Sequence, residues 1–254
     1  MKKLILLLLV FVSVPTFARS FDIEVIIFKR NVEPSQVNEA WPSSIEPIDF
    51  DRSFSYRDKK MMSSNGAFLL PSGYYRLNKQ YQALDRHAGF KPLVHVAWRQ
   101  TDRGPSRAPI FHIQAGQDFS GTFANDGRSL SQIKDESPDG TVPPALAKGP
   151  VNELDGTMQV YVQHYLYVKT NLDLKIPGQH EVVLQDAVTD TASDDNDDDA
   201  EVQVGNLEPI KPKTEVKDFL NSYRMQQKRQ MRSGETHYLD NPYLGMIIKV
   251  SKAR

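Results

Sequence analysis

Three cations stand four residues apart near the end of the chain, Arg224, Lys228 and Arg232, within the run YRMQQKRQMRSGETHY from Tyr223 to Tyr238. A spacing of four keeps side chains together on a strand and on a helix alike, so the three form a stripe in either state. A row of cations binds anions, and a guanidinium matches a carboxylate with two parallel N–H···O bonds. Earlier in the chain, Tyr161, Tyr165 and Tyr167 share the odd-numbered positions of TMQVYVQHYLYVK. A phenol ring offers an apolar body and a polar tip, which suits the face of a sugar. Cations and tyrosines together point to an anionic, sugar-bearing ligand. A solvated charged face beside tyrosines packed in a sheet accounts for the same residues.

Other chemistry is excluded by what the sequence lacks. It has no cysteine, which removes disulfides, thiolate metal sites and cysteine nucleophiles. The six histidines, at 87, 95, 112, 164, 180 and 237, include no pair spaced to share a metal on one strand or helix. His95 and His164 lie in apolar runs and read as hydrogen-bonded core residues. Asp194, Asn196 and Asp198 begin like a calcium loop, but Asp199 stands where the turn glycine belongs and Gly205 where the bidentate acid belongs. No nucleophile elbow, zinc-protease helix, Walker loop or dinucleotide turn is present. The expectation is a non-enzyme with no cofactor and no metal. With 31 Lys+Arg against 32 Asp+Glu, the chain also lacks the basic excess of a nucleic-acid binder.

Lys2 and Lys3, the apolar run Leu4 to Val12 and the triplet Thr16-Phe17-Ala18 make a secretory signal peptide, residues 1–18. The run is about half the roughly 20 residues that span a bilayer, and no later stretch approaches that length. No cysteine follows the cleavage site, so lipoprotein attachment is excluded. The expected product is a soluble periplasmic protein with no membrane insertion after cleavage. Losing two lysines takes the formal charge of −1 to about −3. Asp186, Asp190, Asp194, Asp195, Asp197, Asp198, Asp199 and Glu201 form a block of eight acids without a base, leaving about +5 for the rest.

The elements that must position the stripe and the tyrosines follow from periodicity. FDIEVIIFKR, Phe21 to Arg30, reads as a buried strand. Residues 31–72, with Pro34, Pro42, Pro47 and Pro71, read as a long wrapping loop with short helical pieces, anchored by Trp41. Leu77, Tyr81, Leu84 and Ala88 recur on one helical face over Tyr74 to Ala88, with Gly89 as a left-handed stop. Lys91 to Arg99 returns as a strand, and the strand–helix–strand order suggests a parallel crossover. After a loop-rich stretch from Pro105 to Pro150, with a strand at Ile110 to Ala115, Thr157 to Lys169 reads as one strand. Its even-numbered residues face the core. Strands are also expected at Glu181 to Leu184 and Tyr243 to Val250, with a turn at Tyr238 to Pro242; Phe219 to Arg232 is made of good helix formers yet alternates at Tyr223, Met225, Gln227, Arg229 and Met231, which favours strand over helix. Residues 189–214 are expected to be disordered, since such a composition buries too little apolar area. The sum is a single α+β domain over 19–254, a mainly antiparallel, mixed sheet with one principal helix and long loop insertions.

Four stretches carry a resemblance to a known family: FDIEVIIFKR with Trp41-Pro42, FKPLVHVAWRQ, LDGTMQVYVQHYLYVKTNLDL and QQKRQMRSGETHYLDNPYLGMIIKV. Together they resemble the CsiV family, cell-shape-integrity proteins of the gammaproteobacterial periplasm. Arg232, Ser233, Glu235, His237, Tyr238 and Asp240 meet its most specific pattern, while Asn241 replaces the histidine usual before the proline. The resemblance implies a non-catalytic peptidoglycan-binding protein. It also implies partners, a class A penicillin-binding protein and that synthase's outer-membrane lipoprotein activator. On this reading Arg224, Lys228, Arg229 and Arg232 contact the carboxylates of wall stem peptides. Glu235, His237, Tyr238 and Asp240 fix the following turn, and Tyr161, Tyr165 and Tyr167 stack on sugars. The alternative is a protein–protein adaptor with no direct wall binding.

Overall fold

The computed structural model describes residues 19–32, 46–147, 149–183 and 214–253. The expected signal peptide, Trp41 and the acidic run lie outside them. In chain order the elements are β1 (Ser20–Arg30), β2 (Ser53–Ser55), α1 (Lys59–Ser64), β3 (Ala67–Leu69), α2 (Asn78–Arg86), β4 (Phe90–Thr101) and β5 (Ile110–Asp118). Then follow α3 (Leu130–Glu136), β6 (Asn152–Gln163), β7 (Tyr165–Val183), β8 (Thr214–Met231), β9 (Thr236–Asp240) and β10 (Leu244–Lys252). The fold is α+β with mainly antiparallel, mixed sheets, as the sequence indicates. The chain divides into two compact units, a larger one of residues 1–119, 150–176 and 222–254 and a smaller one of 120–149 and 177–221.

The larger unit holds two five-stranded sheets, ordered β3-β4-β1-β10-β9 and β2-β5-β6-β7-β8. β1 is apolar on both sides because both are covered. Its odd residues Ile23, Val25 and Ile27 join the core shared by the two sheets. Ile26 and Phe28 face the other way, against Leu77, Tyr81 and Leu84 of α2 and its N-terminal flank. The shared core takes Val94, Val96 and Trp98 from β4, Met246, Ile248 and Val250 from β10, and Phe111, Ile113, Met158, Val160, Val168, Leu172 and Met225 from the second sheet. Fully burying such a side chain contributes roughly 1.5–3 kcal/mol. A buried polar link ties the sheets. Trp98 Nε1 donates to Gln100 Oε1 at 2.7 Å, and Gln100 Nε2 donates to the Val160 carbonyl at 2.8 Å.

Glu153, 2% exposed, makes a second link at a bulge between β5 and β6. Its carboxylate accepts from Lys29 Nζ at 3.2 Å, Lys91 Nζ at 2.9 Å and the Gln117 N–H at 3.2 Å. Gly116 lies beside it at φ 81°, where a Cβ would come within 2.6 Å of Glu153, so the bulge needs glycine on both counts. Burial alone would push the Glu153 carboxyl up. Lys91, the Gln117 amide and Lys29 outweigh it and hold the group below the usual range.

Several sequence expectations are corrected. β1 and β4 pair antiparallel, Val25 opposite Val96, so no parallel crossover joins them. The intervening α2 is shorter than its periodicity suggests and ends at His87 in extended backbone, without a left-handed Gly89. The proline-rich loop holds two short strands besides its helical pieces, and α3 lies in the stretch read as loop. The strand expected over Thr157 to Lys169 is a hairpin, β6 and β7, pairing Gln163 with Tyr165, Val162 with Leu166 and Tyr161 with Tyr167. His164 at the reversal has φ 61° and is exposed, so it is no core histidine. His95 does pack as expected, its Nε2 2.8 Å from the buried Glu24 carboxylate and its ring stacked on Tyr81 at 4.8 Å.

The smaller unit is organised around α3, whose N-cap Ser129 accepts from the Gln132 N–H. Ile133 is buried, as are Phe123, Ala124 and Leu220. Arg128 reaches Asp126 and Glu136, and Lys217 also reaches Glu136. Gln132 and Lys217 lead in holding the Glu136 carboxyl below its usual range.

Candidate functional site

β8 decides where the cations go. Its odd residues Tyr223, Met225 and Met231 are buried in the shared core, so the even residues Arg224, Gln226, Lys228 and Gln230 leave on the opposite face. β7 places its even residues Leu166, Val168, Leu172 and Leu174 inward, which sends Tyr165, Tyr167, Lys169, Asn171 and Asp173 outward. The contacts between the two strands, Thr170 Oγ1 to the Gln227 carbonyl and Arg224 to Asp173, run in opposite senses along the chain, as in an antiparallel pair. The hairpin about His164 keeps the parity of β6 and β7, because residues equally far from 164 are partners. Tyr161 therefore lies on the tyrosine side too. The stripe and the tyrosines share one outer face of the second sheet.

That face has two regions. In the first, Arg224 makes a bidentate ion pair with Asp173, Nε to Oδ1 at 2.5 Å and Nη2 to Oδ2 at 2.8 Å. Its Nη2 also donates to the Glu46 carbonyl at 3.1 Å. From there the segment 46–50 extends to Phe50, whose ring packs on His112 at 4.3 Å. His112 Nε2 in turn lies 2.6 Å from Asp155 Oδ1. Every charged group named here already has a partner.

The second region surrounds the hairpin end. Tyr161 and Tyr167 stack with ring centroids 5.4 Å apart and 21° between planes. Lys228 Nζ sits 5.1 Å from the centroid of the Tyr167 ring, a cation–π contact on an exposed face. Tyr161 is buried, 4% exposed, and acts as a backing for Tyr167. Tyr165 is 58% exposed at the tip. Lys169, Gln226 and Gln230 are exposed on the same face, and Arg232 follows the end of β8 with its side chain 83% exposed. Its nearest ion pair is a loose 3.9 Å contact with Glu235.

The remaining sequence candidates do other work. Arg229 Nη1 donates to the Tyr238 carbonyl at 3.1 Å and Gln227 Nε2 to the Asp240 carbonyl at 2.8 Å, so both side chains cap backbone acceptors of the edge strand β9. His237 Nε2 accepts the Arg232 N–H at 3.1 Å and holds the turn before β9, with Glu235 4.0 Å away. Tyr238 stacks on Phe28 at 6.3 Å, and Asp240 pairs with Arg30 at 3.3 Å, both on the first sheet. Burial, aided by Asp240, pushes the Tyr238 hydroxyl above the usual phenol range. The turn after β9 is capped instead by Asn241, whose Oδ1 accepts from the Tyr243 and Leu244 N–H groups at 2.9 and 2.7 Å.

Sequence reasoning missed Lys169 as a cation of this face and Asp173 as the partner that occupies Arg224. The signal was available. Extending the odd positions from Tyr167 through Lys169 and Asn171 reaches Asp173 in the same alternation. Among the described residues, no group of three or more histidines and acids is placed to hold a metal ion, and no helix is long and apolar enough to cross a membrane.

A family model described as "Peptidoglycan-binding protein, CsiV" matches residues 2–253, essentially the whole chain. No curated protein and no solved structure matches it.

Proposed function

We propose, since the chain belongs to the CsiV family of peptidoglycan-binding proteins, that it is an exported periplasmic protein that grips the wall without cutting it. In this role it supports synthesis by a class A penicillin-binding protein together with that enzyme's outer-membrane lipoprotein activator. The observation that carries the wall-binding surface is the Lys228 ammonium over the Tyr167 ring, on the same open face as Tyr165 and Arg232. The exposed Tyr165 ring and the half-buried Tyr167 ring suit the apolar face of a wall sugar, and the ammonium and guanidinium suit the carboxylate of a stem peptide. Arg224 is left out of that set because Asp173 already occupies its guanidinium.

The test is retention of the purified mature protein on intact sacculi. Replacing Tyr165, Lys228 and Arg232 together by alanine is expected to cut retention about tenfold while the melting temperature stays within a degree or two. Wild-type retention should also fall with salt as the Debye length drops below about 10 Å. Equal retention of the triple variant and the wild type would remove this face from the reading.

A further inference from the structure

The reversal between β6 and β7 stands on a residue poorly suited to it. The hairpin turns about His164, with Gln163 and Tyr165 as the pair that closes it, and His164 takes φ 61° to do so. Among the described residues every other residue with φ in the left-handed region is a glycine. That backbone crowds Cβ against the following carbonyl oxygen, a cost that glycine avoids and asparagine reduces. The fold gains no contact in return. The imidazole is exposed and makes no hydrogen bond, ion pair or ring contact among the described residues. Each of the other histidines is occupied: His87 by the Gly89 N–H, His95 by Glu24, His112 by Asp155, His180 by the Phe219 ring and His237 by the Arg232 N–H.

Backbone strain that persists without a structural return points to a side chain kept for something outside the fold. The neighbours of His164 indicate what that is. Asp173 meets Arg224 and Thr170 meets Gln227, so counting along the antiparallel β7–β8 pair brings Tyr165 level with Arg232. Tyr165 is 58% exposed and the Arg232 side chain 83%. The reversal therefore sets an unoccupied imidazole next to an open phenol ring and an open guanidinium. All three stand at the end of the face that carries Lys228 and Tyr167.

We propose that His164 is a ligand contact, the third member of a hairpin-tip site with Tyr165 and Arg232 that takes a sugar ring with a carboxylate close by. Tyr165 supplies the apolar platform, and Arg232 pairs with the carboxylate. The imidazole adds a donor and an acceptor for sugar hydroxyls, whereas a guanidinium only donates. This deepens the wall-binding reading of the face and rests on it.

The test separates stability from binding in the full mature protein. His164→Gly and His164→Asn both relieve the backbone, and both are expected to melt up to about 3 °C above the wild type. Both remove the imidazole, and retention on intact sacculi is expected to fall about fivefold in each. In the wild type the His164 ring resonances should move when wall fragments released by a muramidase are added, while those of His180 stay in place. Wild-type retention by both variants overturns the proposal. So does a drop of more than about 2 °C in both melting temperatures, which would mean that the ring serves the fold. A loss in His164→Gly alone, with His164→Asn retained like the wild type, overturns it too, since hairpin stiffness and not the imidazole would then matter. Failure of the wall-binding reading shows elsewhere, as full retention of the Tyr165/Lys228/Arg232 triple variant. Failure of this inference alone leaves that variant weak and the His164 variants strong.

Discussion

The two ends of the outward face of β8 carry similar residues to different ends. At one, Arg224 meets Asp173 in a bidentate pair and is further tied to the Glu46 carbonyl. At the other, Lys228 lies over an aromatic ring and Arg232 reaches solvent. Spacing by four placed all three on one face, but it says nothing about vacancy. A cation facing a carboxylate from the next strand is part of the fold. A cation facing a ring keeps its charge for a ligand. The Glu153 cluster repeats the first case, since two lysines there are consumed by one buried carboxylate.

The largest expected effect comes from removing the carboxylate that makes the two ends different. In Asp173→Ala the Arg224 side chain, 14% exposed, loses its only counter-ion among the described residues. Breaking such a pair from one side costs about 3 kcal/mol, which urea unfolding would read as a clear drop in midpoint. Retention on sacculi, measured where the variant is folded, is expected not to rise, because segment 46–50 still covers the freed guanidinium. A rise in retention would mean that Asp173 alone separates the two regions. A loss under about 1 kcal/mol would mean that Arg224 is not bound to the fold as its geometry implies.

Glu153 gives the next effect, and its sign can be worked out. A carboxyl held below its ordinary range adds stability that is fully present above that range and is lost as pH falls through the folded value. The Lys29–Glu153–Lys91 cluster should therefore stabilise at neutral pH and weaken in acid. Glu153→Gln is expected to lower stability at pH 7 by about 1.5–3 kcal/mol, the range for hydrogen bonds to a charged group. Between pH 7 and pH 4 the variant should lose less stability than the wild type. Parallel pH profiles would show that the two lysines do not hold the carboxylate ionised.

Much of this frame is readable in the sequence, and the parts that are not share a physical cause. The alternation of Leu244, Met246, Ile248 and Val250 predicts β10, and that of Tyr223, Met225 and Met231 predicts β8, because side-chain period and burial are local properties. The reversal at His164 is hidden because a hairpin about a single residue preserves parity, and no glycine, asparagine or proline marks it. What distinguishes Arg224 from Lys228 is the register of β7 against β8, two strands joined through thirty residues that follow neither period. No spacing rule reaches across such a connection, so Asp173 could be named as facing outward but not as the partner of Arg224.

The smallest expected effect on the fold is the most discriminating for function. Lys228→Ala and Lys91→Ala each remove one positive charge and leave the same net charge. If the wall attracts the protein through its overall charge, the two variants should lose retention equally. If the open face is the contact, Lys228→Ala should lose about threefold, with a weaker salt dependence, and Lys91→Ala should match the wild type, since its ammonium is already neutralised by Glu153 at 2.9 Å. Lys228→Ala should unfold within about 0.5 kcal/mol of the wild type because it touches only a ring at the surface, while Lys91→Ala should lose about 1–2 kcal/mol by leaving the buried Glu153 carboxylate one lysine short, so retention is compared where both are folded. Equal losses in the pull-down would dissolve the distinction between the two ends of β8, whatever their geometry.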